Sequence, residues 1–202
     1  MTRAVISDLG RVILWFDNTI FYRKMTAHCP LSADEIREIV HHSPEFIELF
    51  DLGRLTPREF YESVIGKLGA DIGYGEFMAA YADVFFINAP VLEIFKRLKE
   101  KYRLVLVSNV DVVRYGFIKR KFPELMIFDD YVLSYELGTM KPDPQIYRVA
   151  LAKAQADASG CVFIDDMEEN IEGAVALGIP AILYRPETDL EKELKLLGVE
   201  LS

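Results

Sequence analysis

The chain has 202 residues, of which 51% are hydrophobic and 27% are charged, and its net charge is −9 at pH 7. This length accommodates one hydrophobic core with a small accessory domain, and the composition is typical of a soluble globular protein. The acidic balance argues against nucleic acid and anionic membranes as main partners, because both carry negative charge. No uncharged apolar segment approaches the roughly 18 residues that a membrane helix needs.

The two cysteines, Cys29 and Cys161, form neither a CxxC motif nor another metal-binding spacing. A disulfide framework is therefore not expected, and we predict a cytoplasmic protein in a reducing compartment. We also expect no signal peptide, because Asp8 interrupts the first apolar run almost at once. The expected assembly is a monomer or a weak homodimer.

Short apolar runs, rich in Val and Ile, predict strands at residues 3–8, 103–109, 131–134, 161–166 and 180–184. Because they are continuously apolar rather than alternating, they are typical of strands buried on both faces of a sheet. Helical patterns lie between them, including one with Asp143 as N-cap and Pro144 in its first turn, and one that ends at Gly178. This alternation predicts an α/β fold with a three-layer, Rossmann-like core and a parallel sheet.

A long insert after the first strand interrupts this alternation and predicts a small helical cap domain. It contains no strong strand pattern from about residue 18 to residue 88. Capping boxes at Ser32–Glu35 and Thr56–Glu59 and the dipeptide Ser43-Pro44 indicate helix starts. The predicted domains are a core of residues 1–16 and 89–202 and a cap of residues 17–88.

The tetrapeptide DLGR occurs twice, at residues 8–11 and 51–54. The first copy follows a buried strand, so Asp8 is expected at the edge where open parallel sheets bind ligands. The second copy lies between a helix end and the helix start at Thr56. There we expect Gly53 to be a turn glycine and Asp51 to be solvated or to cap a helix, so the shared letters are interpreted as coincidence.

The histidines of this region are interpreted as structural, whereas two aromatic residues have two open roles. His28, His41 and His42 lack the HExxH spacing of a zinc site and are expected on helix surfaces. Trp15 and Phe16 follow the first DLGR, and they either line the entrance beneath the cap or attach the cap to the core.

Polar residues also follow the predicted strands at one expected edge of the sheet: Asp8, Ser108, Asn109, Lys141, Asp165 and Asp166. Each residue type alone often merely caps the next helix. Together they suit phosphoryl transfer, because carboxylates can hold Mg²⁺ and a lysine offsets the charge of phosphate and carboxylates. Ser108 and the N-terminus of the following helix can donate to phosphate oxygens. A carboxylate that attacks phosphorus would form an aspartyl-phosphate.

These segments resemble the four motifs of the haloacid dehalogenase (HAD) superfamily in residue type, order and spacing, across essentially the whole chain. The matching segments are Asp8-Leu9-Gly10, Ser108-Asn109, Lys141-Pro142 in GTMKPDPQIY, and VFIDDMEENIEGAVALGI, which contains Asn170 and Gly173. The insert between the first two motifs resembles the helical C1 cap of subfamily I.

The resemblance implies a role for each motif residue. Asp8 would be the nucleophile, Lys141 would contact both the nucleophile and the phosphate, and Ser108 and Asn109 would contact the phosphate. The implied cofactor is Mg²⁺, and its implied ligands are Asp8, the Gly10 carbonyl, Asp166 and, directly or through water, Asp165. The implied activity is hydrolysis of a small phosphorylated metabolite.

Gly10 departs from the family pattern. Most phosphatases of the superfamily have a second Asp at this position, which protonates the leaving oxygen and later activates water; loss of such a group costs roughly 10²–10⁴-fold in rate. Three explanations stay open. Another group transfers the proton, such as Asp17, a water or a cap residue, although Asp17 is equally suited to cap a turn with Asn18. Alternatively, the substrate has a good leaving group that departs with little help from a proton donor, or the protein no longer hydrolyses any substrate.

The first DLGR segment is also similar to a branch that includes α-D-glucose-1-phosphate phosphatase, which favours a sugar phosphate with an easy leaving group. Two other functions compete with a phosphatase. One is a pseudophosphatase that binds a phosphometabolite or a protein partner. The other is a metal-free dehalogenase, for which the doubled carboxylate Asp165-Asp166 has no evident use.

Overall fold

The computed structural model describes residues 2–41 and 44–201. The strands are β1 (Ala4–Ser7), β2 (Leu14–Phe16), β3 (Phe85–Ile87), β4 (Arg103–Ser108), β5 (Asp130–Leu133), β6 (Cys161–Asp165) and β7 (Ala181–Leu183). The α-helices are α1 (Thr19–Met25), α2 (Ala33–His41), α3 (Pro44–Asp51), α4 (Pro57–Leu68), α5 (Tyr74–Ala82), α6 (Ala89–Leu98), α7 (Val112–Lys121), α8 (Ser134–Leu137), α9 (Pro144–Ala154), α10 (Glu168–Ala176) and α11 (Leu190–Leu196). No helix in these two ranges is both long and apolar enough to span a lipid bilayer.

The five predicted strands are confirmed and form one parallel sheet in the order β5-β4-β1-β6-β7. Strand β1 lies at its centre, with Val5 beside Leu104 of β4 and beside Val162 of β6. Because the strands are parallel, their carboxyl ends meet at one edge, where the polar residues of the sequence motifs follow.

Both faces of the sheet are covered by helices, which explains why the strands are continuously apolar. On one face, Val5 and Leu104 belong to the same buried cluster as Phe95 of α6. On the other face, Ile6 packs in a second buried cluster with Tyr147 of α9. The predicted three-layer α/β core is confirmed.

The predicted helix ends are also found. The Asp143 side chain caps α9, which begins with Pro144, and Gly178 follows α10 with a φ of 79°. Both capping boxes form at the starts of α2 and α4. Helix α3 begins at Pro44, whereas Ser43 and His42 lie outside the described residues.

Strands β2 and β3 were not predicted, and they pair antiparallel as a two-stranded ribbon. Strand β3 lies inside the segment expected to contain no strand, so that prediction was wrong. Each strand has three residues and a partner distant in sequence, which leaves little local signal. The ribbon brings together the two ends of the segment that carries α1–α5, which we call the cap helices. The division at residues 17 and 88 stays a prediction.

The turn of the second DLGR segment attaches the cap helices to the core. Gly53 has a φ of 67°, as expected for a turn glycine, and a Cβ atom there would lie 2.3 Å from the Tyr135 carbonyl oxygen. The Ser134 hydroxyl donates a hydrogen bond of 2.6 Å to the Asp51 carbonyl and accepts one of 2.9 Å from the Val110 amide. The turn therefore packs against the start of α8 with no room for a side chain.

Replacing Gly53 with Ala is expected to destabilise the protein more than the matched change Gly69→Ala. Both glycines have left-handed φ angles, of 67° and 58°, but nothing lies within 4 Å of a Cβ at Gly69. Backbone strain alone costs about 1–2 kcal/mol, and the clash with Tyr135 adds about 1–3 kcal/mol. Urea unfolding of both variants measures the difference, and equal losses would show that the turn does not pack as described.

Candidate active site

The carboxyl edge of the sheet borders a cavity of about 270 Å³. Strands β1, β4 and β6 end beside Asp8, at Ser108 and at Asp165, and the loop between α8 and α9 brings Lys141 to the same place. The sequence-predicted residues that line the cavity are Asp8, Gly10, Ser108, Asn109, Lys141 and Asp166. The structure therefore brings together residues from separate motifs.

Lys141 is buried between two carboxylates. Its Nζ atom donates to Asp8 Oδ1 at 2.6 Å, to Asp165 Oδ2 at 2.7 Å and to the Val107 carbonyl at 3.1 Å. Burial by itself lowers the pKa of Lys141, but the two carboxylates outweigh it and raise the pKa above its usual value. The side chain is therefore a fixed ammonium that holds the Asp8 carboxylate in place.

The acidic side of the site carries more negative charge than Lys141 offsets. One ligand atom from each of Asp8, Asp165 and Asp166 lies within 4.8 Å of the others. Burial raises the pKa of Asp8 to about 7, against the lowering effect of Lys141, and burial and Asp165 also raise the pKa of Asp166. A bound cation would relieve this repulsion and favour the ionised carboxylates.

The donor atoms fit a hard divalent cation such as Mg²⁺, which prefers oxygen ligands and keeps bound water. Asp165 is already engaged, because it also accepts hydrogen bonds of 2.9 Å from the Met167 amide and from the Asn170 side chain. Asp8 and Asp166 are therefore the carboxylates best placed for direct contact. Within the described residues the buried Asn170 Oδ1 has no hydrogen-bond partner, and it can accept from a water on the cation.

The Asn109 side chain holds the loop that carries Lys141. Its side-chain amide donates to the Lys141 carbonyl at 3.0 Å, and its oxygen accepts from the Lys141 amide at 2.8 Å. Gly173 supports the same loop from α10, because a Cβ atom there would lie 3.1 Å from the Pro142 carbonyl oxygen. Ser108 is buried and lines the cavity, where its hydroxyl can face a phosphate.

The position of Asp17 favours the second of its two expected roles, capping a turn. Its Oδ1 accepts a hydrogen bond of 2.9 Å from the Thr19 amide, at the start of α1, and its side chain is exposed. This bond lowers the pKa of Asp17, so the group holds its proton less well than an ordinary aspartic acid. Since Asp17 is not part of the cavity wall, its geometry supports capping rather than proton transfer.

The cap helices add a second polar group to the cavity, which the sequence interpretation missed. His41 is not on a free helix surface: its Nε2 lies 2.9 Å from Asn18 Nδ2, and its Nδ1 lies 2.7 Å from the Tyr22 hydroxyl. The Arg114 side chain of α7 donates to Asn18 Oδ1 at 2.9 Å. Asn18, His41 and Arg114 line the cavity together with Asp51.

Asp51 is not a solvated or capping residue, so this prediction was wrong. Its side chain lines the cavity, where burial and the nearby Asp111 raise its pKa to about 7 against the opposing effect of Arg114. The error arose because the local sequence identifies a turn but does not show that the turn is pressed against the core. An acidic residue two positions before a turn glycine was the available signal.

The aromatic residues after the first DLGR divide between the two proposed roles. Phe16 lines the cavity, whereas the Trp15 ring lies 6.5 Å from the Tyr184 ring of the core. A Cβ atom added at Gly10 would lie 3.3 Å from Phe16 Cε1 and 3.8 Å from Asp8 Oδ2. The Phe16 ring thus borders the space that a side chain at Gly10 would enter.

The site is therefore an aspartate–lysine pair with further carboxylates, placed at the carboxyl edge of a parallel sheet. The family model of haloacid dehalogenase-like hydrolases matches residues 13–178. The chain belongs to this family.

Two curated relatives differ in how much of their length the chain covers. The D-ribitol-5-phosphate phosphatase of Bacteroides thetaiotaomicron is 24% identical over 204 residues, which is 98% of this chain and 98% of the relative. The drimenol cyclase of Aspergillus calidoustus is 23% identical over 201 residues, which is 96% of this chain. The chain spans only 36% of that cyclase, about a third of its length.

Solved structures share the fold along nearly the full chain. A HAD family enzyme from Bacteroides thetaiotaomicron in its magnesium complex has a TM-score of 0.83 and 24% identity, covering 95% of this chain and 97% of that one. Its complex with magnesium and inorganic phosphate has a TM-score of 0.79 and 23% identity, with 95% and 98% coverage.

Proposed function

We propose that the protein is a Mg²⁺-dependent phosphatase that hydrolyses small phosphate monoesters through an aspartyl-phosphate. The observation that carries this proposal is the Asp8 carboxylate, held by Lys141 at 2.6 Å beside the further carboxylate Asp166 on the wall of one cavity. A metal-free dehalogenase has no use for Asp166, whereas a cation site beside a phosphate needs such a residue.

Each residue has a distinct task in this reaction. Asp8 attacks phosphorus, and the Lys141 ammonium offsets the charge of both the nucleophile and the phosphoryl oxygens. Ser108 donates to the phosphate, while Asn109 keeps the Lys141 loop in place. The Val113 and Arg114 amides at the start of α7 already donate to the Asp111 side chain. Mg²⁺ would be held by Asp8, Asp166, the Gly10 carbonyl and, directly or through water, Asp165. It would supply charge stabilisation for the transferring phosphoryl group.

The relatives support the reaction class and suggest the substrate. One relative is named a D-ribitol-5-phosphate phosphatase, and a structural neighbour was crystallised with magnesium and inorganic phosphate. We therefore propose a sugar or polyol phosphate, including glucose 1-phosphate, as the substrate. The proposal also includes a C1-type cap, a cytoplasmic location and a monomer or weak homodimer. The polar group of Asn18, His41 and Arg114 gives the cavity donors and acceptors for hydroxyl groups.

Phosphate release from a panel of monoesters tests the proposal, with Mg²⁺ and with EDTA. The panel includes glucose 1-phosphate, glucose 6-phosphate, D-ribitol 5-phosphate and p-nitrophenyl phosphate. We expect release that requires Mg²⁺, and preference for the 1-phosphate would support an easy leaving group. A folded protein that binds Mg²⁺ but hydrolyses none of these esters would instead be a pseudophosphatase.

Replacing Asp166 with Asn is expected to weaken Mg²⁺ binding by at least about tenfold. Loss of a residue that only hydrogen-bonds a metal ligand typically lowers metal affinity 10–100-fold, and loss of a direct ligand should matter no less. Calorimetric titration with Mg²⁺ alone measures this without turnover. The matched control is Glu168→Gln, an exposed acidic residue two positions further that is not part of the Asp8–Asp165–Asp166 cluster. Equal Mg²⁺ affinity in the wild type and Asp166→Asn would remove Asp166 from the ligand set.

A further inference from the structure

The proposed phosphatase lacks a proton donor at the position that the family pattern uses. Gly10 has no side chain, and the Phe16 ring borders the space where one would lie. Asp17 caps α1 outside the cavity. An alkyl leaving oxygen nevertheless needs a proton, so the donor must come from another wall of the cavity.

The direction of the reaction indicates which wall. In an in-line transfer the leaving oxygen lies on the side of phosphorus opposite the nucleophile. The nucleophile Asp8 follows β1 at the sheet edge, so the leaving group extends away from that edge, toward the cap helices. Among the described residues, the carboxyl groups on the cavity wall are Asp8, Asp166 and Asp51. The first two belong to the nucleophile and cation cluster, and Asp51 ends a cap helix.

We propose that Asp51 is the general acid of this enzyme, donating a proton from the cap helices to the leaving oxygen and later accepting one from water. This inference rests on the proposed phosphatase function. Its geometric basis is the turn that presents Asp51: the Asp51 carbonyl is held by Ser134, and Gly53 packs against the Tyr135 carbonyl. Both contacts fix the residue relative to the end of β5.

The surroundings of Asp51 act on its protonation in opposite directions: burial and Asp111 favour the protonated form, whereas Arg114 favours the carboxylate. Helix α7 contributes Arg114 and Asp111, α5 contributes Tyr81, and His41 of α2 lines the same cavity. Asp111 accepts hydrogen bonds from the Val113 and Arg114 amides and from the Tyr81 hydroxyl, so its carboxylate is well satisfied.

The Arg114 guanidinium therefore interacts electrostatically with both Asp111 and Asp51. Arg114 Nε lies 3.9 Å from Asp111 Oδ2, and its Nη2 is engaged with Asn18. Burial outweighs the guanidinium at both carboxyl groups: the pKa of Asp111 is raised, and the pKa of Asp51 is raised to about 7. It can therefore hold a proton near neutral pH and still release it.

Asp51 loses one proton and regains one proton in each turnover. As an Asp8 oxygen bonds to phosphorus, the bond from phosphorus to the leaving oxygen breaks and its electron pair stays on that oxygen. Protonated Asp51 gives its proton to this oxygen, which departs as an alcohol. The Asp51 carboxylate then takes a proton from the water that attacks the phosphorus of Asp8-phosphate, releasing inorganic phosphate, free Asp8 and protonated Asp51.

Leaving-group dependence of Asp51→Asn tests this role. For an alkyl phosphate we expect the rate of phosphoryl transfer to fall by roughly 10²–10⁴-fold. For p-nitrophenyl phosphate, whose leaving group departs without a proton, the burst of nitrophenol should stay within a few-fold of the wild type. Since the donor must be protonated, the wild-type rate on the alkyl ester should fall as pH rises above about 7, and this limb should be absent in Asp51→Asn.

The matched control is Asp17→Asn, which removes a carboxylate from the cap segment outside the cavity and is expected to leave both rates unchanged. Equal losses on both esters in Asp51→Asn would show that Asp51 is structural. No loss on either ester in that variant would also overturn the assignment, as would a leaving-group-dependent loss in Asp17→Asn. If the wild type is inert even on p-nitrophenyl phosphate, the phosphatase proposal itself fails and Asp51 loses its role with it. Activity that Asp8→Asn abolishes but Asp51→Asn leaves intact refutes Asp51 alone.

Discussion

Replacing Asp8 with Asn is expected to abolish phosphate release, lowering the rate by about four orders of magnitude or more, the scale seen when a catalytic nucleophile is removed. An amide oxygen is a poor nucleophile, and Asn cannot offset the Lys141 ammonium. The fold should survive, because the side chain keeps its shape and loses a charge whose burial is unfavourable, as the raised pKa of Asp8 indicates. Initial rates of phosphate release with saturating Mg²⁺ measure the effect.

The control for this experiment is Asp71→Asn, a change at an exposed aspartate of the cap segment. It should release phosphate at the wild-type rate. Substantial activity in Asp8→Asn, with a thermal unfolding curve like that of the wild type, would show that another group attacks phosphorus.

Replacing Lys141 with Met is expected to remove activity and also to destabilise the fold by about 3–5 kcal/mol, the range for a buried ion pair that loses one partner. Lys141 is 4% exposed and bridges Asp8 and Asp165. Without the ammonium, both buried carboxylates repel each other, so protonation of Asp8 would be favoured further. The loss of stability should therefore be larger at pH 8 than at pH 5, which urea unfolding at the two pH values measures.

The control is Lys99→Met, which breaks the exposed pair between Lys99 and Asp129. Exposed pairs contribute about 0–1 kcal/mol, so this variant should unfold nearly like the wild type. Equal losses in the two variants would contradict the view that Lys141 balances the charge of the site.

The sequence predicts the core and the sheet-edge part of the site because both depend on local patterns. Buried parallel strands have to be continuously apolar, as in β4 and β6, and a parallel sheet has to bring their carboxyl ends together. This is why Asp8, Lys141 and Asp165 meet although they are far apart in the chain.

The cap side of the cavity could not be predicted in the same way. Whether Asp51 faces solvent or a cavity depends on how the turn at Gly53 packs on α8, a contact between distant segments. The same holds for His41, whose helix end meets Asn18 and Tyr22. The two DLGR segments share no common structure, one following a strand and one ending a helix, yet both place an aspartate on the same cavity wall.

Identification of the phosphorylated residue tests the central claim most directly. The wild type is mixed with Mg²⁺ and p-nitrophenyl phosphate, quenched in acid during the nitrophenol burst, digested and mapped by mass spectrometry. We predict a phosphoryl group on Asp8, in amounts that match the burst, and none in protein mixed with EDTA. A burst with the phosphoryl group on Ser108 or another side chain, and Asp8 unmodified, would contradict the account.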